Sequence, residues 1–168
     1  MKKLLFIVGV IAASLSLVVG IATAARTSSS AAAKVSVAST GLGRILVDGR
    51  GHTLYLFAKD SRGKSTCAGG CAAFWPPLIA TGKPLAGPGV KSKLLGTTRR
   101  ADGRLQVTYN HHPLYSFVKD ARKGDTKGEE LVAFGGEWYA LSAAGAKVQN
   151  AAAPADGSGD GGGYGNGY

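Results

Sequence analysis

RILVDGRGHTLYLFAKD, residues 44–60, and RLQVTYNHHPLYSFVKD, residues 104–120, are two similar stretches of this chain. Aligned without a gap, the two stretches agree at eight of seventeen positions, which are Arg, Val, His, Leu, Tyr, Phe, Lys and Asp. Self-similarity of this kind is typical of a repeat architecture. We therefore predict a duplicated unit of about fifty residues, repeated at about 42–80 and 102–145.

Apolar and polar residues alternate within each copy, as they do in a half-buried strand. A polar turn, DGRGH at 48–52 or TYNHH at 108–112, separates the two alternating runs, which indicates a hairpin. Trp75 and Trp138 are expected to open or lie in a third strand. The predicted fold is all-β, with two tandem similar antiparallel units of about three strands each, packed as one pseudo-symmetric domain.

The two ends of the chain differ in composition from its centre. Residues 1–25 combine two lysines, an uncharged apolar run and the small-residue site Ala22-Thr23-Ala24, which predicts a signal peptide or, since the run is long, a membrane anchor. Residues 26–40 are small and polar and are interpreted as a flexible linker. Residues 151–168 are rich in glycine and are predicted to be disordered. The β domain is expected at 41–150.

The net charge is +10, and cleavage that removed Lys2 and Lys3 would leave +8. For an extracytoplasmic protein, whether secreted, periplasmic or anchored, this balance favours an anionic envelope polymer or a membrane surface as partner. The basic residues are scattered and no nucleic-acid-binding motif is present, so we expect no specific nucleic acid partner. The oligomeric state does not follow from the sequence.

The repeated Y-x-F-x-x-D element resembles the signature of a family of predicted bacterial lipoproteins known as the secreted repeat of unknown function. Its two copies are Tyr55, Phe57, Asp60 and Tyr115, Phe117, Asp120. The segment STCAGGCAAFWPPL, residues 65–78, also resembles that family's cysteine pair followed by Trp-Pro-Pro. The resemblance implies the fold and an exported location, and it supplies no catalytic residues. The chain departs from the lipoprotein pattern because no cysteine follows its apolar N-terminal run.

Cys67 and Cys71 are the only cysteines. In an oxidising compartment, two cysteines at this spacing most simply form a local disulfide. Two alternatives stay open, a redox-active pair and a copper site formed by the two thiolates with His52 and His112. The histidines occupy equivalent positions in the two copies, where exposed turn residues are the commoner case. The expectation is therefore no cofactor, with copper as the alternative.

The motif residues are interpreted as structural. An Asp that follows a strand can accept backbone N–H bonds and fix the next turn, which we favour for Asp60 and Asp120 over acid-base chemistry. The motif aromatics, with Trp75 and Trp138, are expected to form the core. Motifs of hydrolases, metalloproteases and phosphate-binding loops are absent from the sequence. We therefore favour a non-enzymatic structural or ligand-binding module over an extracytoplasmic copper or redox protein.

Overall fold

The structure, a computed structural model, describes residues 32–149 as a β-rich domain with one short helix. Its strands are β1 Lys34–Thr40, β2 Gly43–Asp48, β3 Tyr55–Phe57, β4 Ile79–Ala80, β5 Leu85–Ala86, β6 Leu95–Arg99, β7 Leu105–Tyr109, β8 His112–Pro113, β9 Val132–Ala133 and β10 Gly136–Ala140. The helix α1 is Gly70–Phe74, and a 3₁₀ turn covers Ser92–Leu94. The predicted all-β class is confirmed.

Several predictions concern residues that lie outside this description. The signal peptide or anchor at 1–25 and the disordered tail at 151–168 fall there, as does the first part of the predicted linker. Within residues 32–149, no helix is long and apolar enough to cross a membrane.

The linker prediction for 26–40 is wrong over its last seven residues. Lys34–Thr40 forms β1, which pairs antiparallel with β2 and, at its first two residues, parallel with β5. Val35 is fully buried in the core. The serines and threonine of KVSVAST gave this segment the composition of a tether, but Val35 and Val37 keep the two-residue period of a strand.

Each copy of the repeat begins with a hairpin of two long strands, β1 with β2 and β6 with β7. A second turn follows at the positions predicted from the sequence. In the first copy Val47 pairs with Thr53 across the Asp48-Gly49 turn, and in the second β7 pairs with β8. The second turn places Asn110 and His111 at positive φ, the backbone conformation that a two-residue hairpin turn requires.

The two copies are interlocked rather than placed side by side as separate sheets. After its tryptophan, the first copy forms β4, which pairs with β7 of the second copy. The second copy does the same in return, because Leu46 of β2 donates a backbone hydrogen bond to Leu141 and Ile45 bridges to Ser142. The third strand of each predicted unit therefore completes the sheet of the other copy.

The third-strand prediction holds for only one of the two tryptophans. Trp138 lies in β10, whereas Trp75 lies directly after α1 and is followed by Pro76 and Pro77. Proline cannot donate a ladder hydrogen bond, so a regular strand begins only at Ile79, and β4 is an edge strand of its sheet.

Tyr55 and Tyr115 lie where the two copies meet. Each donates its backbone N–H to the carbonyl of the other, at 2.8 and 3.0 Å. One buried cluster is mostly aliphatic and includes Leu46, Leu54 and Val107. A second cluster contains the motif aromatics and the cysteines. The equivalent tyrosines thus face each other at the centre of the domain.

Candidate functional site

The tyrosine of each motif donates a hydrogen bond to the aspartate of the other motif. The Tyr55 hydroxyl lies 2.6 Å from Asp120 Oδ2, and the Tyr115 hydroxyl lies 2.7 Å from Asp60 Oδ2. Both tyrosines are fully buried. The two Y-x-F-x-x-D elements therefore form a pair of crossed links between the repeats.

The second carboxylate oxygen of each aspartate fixes the loop that follows the motif. Asp60 Oδ1 accepts the backbone N–H of Thr66 at 2.7 Å and its hydroxyl at 3.0 Å. Asp120 Oδ1 accepts the backbone N–H of Lys127 at 2.9 Å. Each aspartate thus joins its own loop to the other repeat, a role that includes the turn-fixing bonds proposed from the sequence.

Burial determines the protonation behaviour of these groups. It raises the pKa of both tyrosines, and the neighbouring carboxylates raise it further. The tyrosines therefore stay protonated and act as donors. Burial also raises the pKa of Asp60 and Asp120, although the hydrogen bonds that these carboxylates accept oppose the rise.

Four aromatic rings form a continuous stack beside the crossed links. Trp75 and Trp138 lie parallel at the centre, with ring centroids 3.8 Å apart. Phe117 stacks on Trp75 at 4.2 Å and Phe57 stacks on Trp138 at 4.1 Å, so each phenylalanine covers the tryptophan of the other repeat. All four rings are buried. Both faces of each tryptophan are therefore covered by another ring of the stack.

Tyr55 and Tyr115 meet the central rings edge-on. Tyr55 contacts Trp75 at a centroid distance of 5.4 Å, and Tyr115 contacts Trp138 at 5.1 Å. Edge-to-face contact is a favoured geometry because the positive rim of one ring meets the negative face of the other. Ring packing and hydrogen bonding therefore hold the same two tyrosines.

Cys67 and Cys71 form a disulfide, as predicted, with their Cα atoms 5.3 Å apart. It joins the loop held by Asp60 to the short helix α1. For a closed loop this small, the chain-entropy relation gives a stabilisation of about 2 kcal/mol. Cys67 directly follows the loop donor Thr66. In the second repeat Gly128 directly follows the loop donor Lys127, and it is buried, as Cys67 is.

Arg100 is a central residue that the sequence interpretation missed. Its buried guanidinium donates to the Cys67 carbonyl at 2.7 Å, to Gln106 Oε1 at 2.7 Å and to Ser65 Oγ at 2.8 Å. Ser65 Oγ also lies 2.7 Å from the Tyr115 hydroxyl oxygen, to which it donates because the single proton of Tyr115 goes to Asp60. Arg99-Arg100 resembles an exposed basic pair in the sequence, and no local signal distinguishes the buried member.

The four residues considered as an alternative copper site are not assembled, so that set is a wrong prediction. Between residues 32 and 149, no three His, Cys, Asp or Glu side chains are placed to hold a metal ion together. His52 lies in its turn with Nδ1 3.5 Å from Asp48 Oδ2. His112 borders a separate cavity of about 420 Å³ beside Asp60, and burial lowers its pKa. Equivalent positions in the repeat therefore did not bring the histidines to the cysteines.

An exposed apolar surface lies next to the aromatic stack, and we call it the apolar tip. Phe74, Leu131 and Phe134 line one groove there. Val118, whose N–H donates to the Phe74 carbonyl, and Val132 of the same hairpin adjoin them, so the surface includes five of the six large hydrophobic residues exposed within the described chain. Three segments meet there. The end of α1 contacts the residue after the second motif phenylalanine through the Val118 N–H, and it contacts the β9–β10 hairpin through Phe134. Sequence analysis missed this surface because apolar residues at such positions resemble core residues.

A groove of about 260 Å³ runs through the apolar tip. Phe74 and Phe134 lie on it with ring centroids 6.0 Å apart, and Trp75 and Phe117 of the stack line it as well. Lys119 contributes a positive charge to the lining. Here the buried aromatic stack comes closest to solvent.

Comparison with known proteins assigns the family. The family described as "secreted repeat of unknown function" matches residues 36–79 and 96–142, together more than half of the chain. The chain belongs to this family. The two matched segments begin inside β1 and inside β6, about six residues before the predicted repeat starts at 42 and 102. The prediction began too late because the first strand of each hairpin was not recognised. No curated protein and no solved structure matches the chain.

Proposed function

We propose that this protein is a non-enzymatic module that acts outside the cytoplasm and binds a component of the cell envelope through its apolar tip. The repeated motif provides the scaffold that holds the tip together. The family description and the disulfide support an exported location.

The observation that carries the proposal is the concentration of exposed apolar side chains at one place. Val132 exposes 75% of its surface, Phe74 51% and Phe134 45%, within a surface formed by segments distant in sequence. A contiguous exposed apolar patch on a soluble domain typically marks an interaction site.

The placement of the motif residues argues against catalysis at the motif. A general base or nucleophile must be free to reach a substrate proton or atom. The Tyr55 hydroxyl and both Asp120 oxygens are engaged inside the domain, and Asp120 is almost fully buried. Asp60 is less buried, but it too is engaged by Tyr115 and Thr66.

The charge of the chain favours an anionic component. Residues 32–149 contain seventeen lysines and arginines and eight aspartates and glutamates, a net charge of +9. A membrane surface or an anionic envelope polymer would attract such a domain at long range. The apolar tip would then supply the short-range contact.

Retention on isolated cell envelopes tests the proposal. We expect the double variant F74S/F134S to be washed from sedimented envelopes under conditions that retain the native protein. The matched control is L85S, which alters an exposed leucine in a different groove. Equal retention of the double variant and the native protein would exclude the apolar tip as the binding surface.

A further inference from the structure

The turn of the β9–β10 hairpin contains a residue, Phe134, that its backbone conformation does not favour. The loop consists of Phe134 and Gly135, both at positive φ, 56° and 81°. Such a turn favours Asn-Gly or Gly-Gly, because a bulky side chain is strained in the left-handed region. Phe134 is not compensated by full burial, since 45% of its surface is exposed.

Val132 is the most exposed of the large hydrophobic residues described and lies two residues before the turn. Its neighbours Leu131 and Phe134 line the apolar groove. The hairpin therefore presents aliphatic and aromatic side chains to solvent at a two-residue turn. Side chains so arranged are suited to entering an apolar phase rather than to closing a core.

Two lysines flank this surface, and both come from the repeated motif. Lys119 lines the groove, and Lys59 Nζ lies 3.3 Å from the position that a Cβ on Gly135 would occupy. Both lysines are exposed. The acidic residues beside this surface are Glu130, next to Leu131, and Glu137, the cross-strand partner of Val132. They offset the two lysines locally, so long-range attraction to an anionic surface comes from the net charge of +9 of residues 32–149.

We propose that the apolar tip inserts into the surface of an anionic lipid bilayer, with Val132 and Phe134 at the headgroup-acyl boundary and Lys59 and Lys119 on the lipid phosphates. The inference rests on the proposed function and names its ligand. Apolar side chains flanked by lysines suit such an interface, where acyl chains and anionic headgroups lie within one side-chain length. An anionic polysaccharide offers the charge alone and would leave Val132 exposed to water.

A fluorophore placed at the hairpin reports insertion directly. The described residues contain no free cysteine, so a single introduced cysteine can carry an environment-sensitive dye. The protein is purified in the form in which the cell exports it. It is labelled at V132C or, as the matched control, at L85C. It is then mixed with vesicles of equal parts phosphatidylcholine and phosphatidylglycerol, or of phosphatidylcholine alone.

We expect a blue shift of the dye at position 132 on anionic vesicles, a weaker response on neutral vesicles and none at position 85. Salt should weaken the binding by screening the lysines. F134S should lower the vesicle affinity about tenfold, since it removes a half-exposed aromatic side chain from the inserted surface. V132S, at the most exposed position, serves as a second variant, and near-ultraviolet circular dichroism of the aromatic stack checks that both variants are folded.

The outcomes separate this inference from the proposed function. If the dye at position 132 responds no more than the dye at position 85, the bilayer is not the ligand. Envelope retention that still depends on Phe74 and Phe134 would then assign the tip to a protein or polymer. Loss of both dependences would overturn both proposals.

Discussion

At the scale of single residues, the crossed hydrogen bonds explain why tyrosine and aspartate are kept at the same spacing in both copies. Phenylalanine would fill the same space as Tyr55 but would remove the donor to Asp120. A buried acceptor left without its partner costs more free energy than the hydrogen bond contributes when made. The motif is therefore best explained as a stability element.

Y55F should lower the free energy of unfolding by about 1–3 kcal/mol. The change leaves Asp120 Oδ2 without its donor and removes the acceptor of the Gly128 N–H. Urea unfolding of Y55F and of Y115F measures the effect at the two equivalent positions. A loss below about 0.5 kcal/mol in both, which is typical of surface substitutions, would show that the crossed links contribute little.

Glu129 should make stability dependent on pH. One of its oxygens accepts the Ala140 N–H at 2.6 Å, and the other is buried without a hydrogen-bond partner. Burial raises the pKa of Glu129 from 4.5 to about 6. Between those values the folded state holds a proton that the unfolded state has released, so stability falls as pH rises through this window.

E129Q tests this dependence, because it keeps an oxygen for Ala140 and removes the titration. Melting temperatures measured across the window should fall less steeply with pH in E129Q than in the native protein. The raised pKa values of Asp60 and Asp120 act in the same direction and would leave a residual slope. An unchanged slope in E129Q would show that Glu129 is not the titrating group.

At the scale of elements, the loops after the two motifs pack differently although they are held in the same way. The first contains the disulfide and leads into α1. The second places Gly128 against the ring of Tyr55 and against Trp75, where a Cβ would lie 2.8 Å from each. A small residue thus allows the second loop to close on the aromatic stack.

G128A should destabilise the domain by about 1–3 kcal/mol, because rigid rings must move to admit the methyl group. G70A is the matched control, since a Cβ at that helical position meets nothing within 4 Å and alanine favours a helix. We therefore expect the melting temperature of G128A to fall and that of G70A to rise or to stay unchanged. A G128A protein as stable as G70A would contradict the tight packing described.

At the scale of the whole molecule, neither repeat contains all the partners of its own strands. β7 pairs with β4 of the first copy, and β2 pairs with residues of the second. The central Trp75–Trp138 stack takes one ring from each copy. The two copies are thus expected to fold as one cooperative unit.

Separate fragments cut between residues 90 and 91 should therefore not fold alone, because each would expose half of the stack and an unpaired strand. Co-expression of the fragments should restore the complex. Near-ultraviolet circular dichroism of the tryptophans, recorded for each fragment and for the pair, measures the loss and the recovery of the packed core. A native-like tryptophan signal from either fragment alone would show that a single repeat is an independent domain.

The duplication, the hairpins and the all-β class follow from the sequence alone, because strand alternation and turn residues are local properties. The cysteine spacing favoured the disulfide over the two alternatives, and the structure contains it. The sequence did not reveal β1, whose composition resembles a linker, or α1, which is too short to show a helical period. The pairing of each tyrosine with the aspartate of the other copy became visible only in three dimensions, because identical spacing fits partners within a copy equally well. The same holds for Phe74, Val132 and Phe134, since whether an apolar side chain is covered depends on what distant segments pack around it.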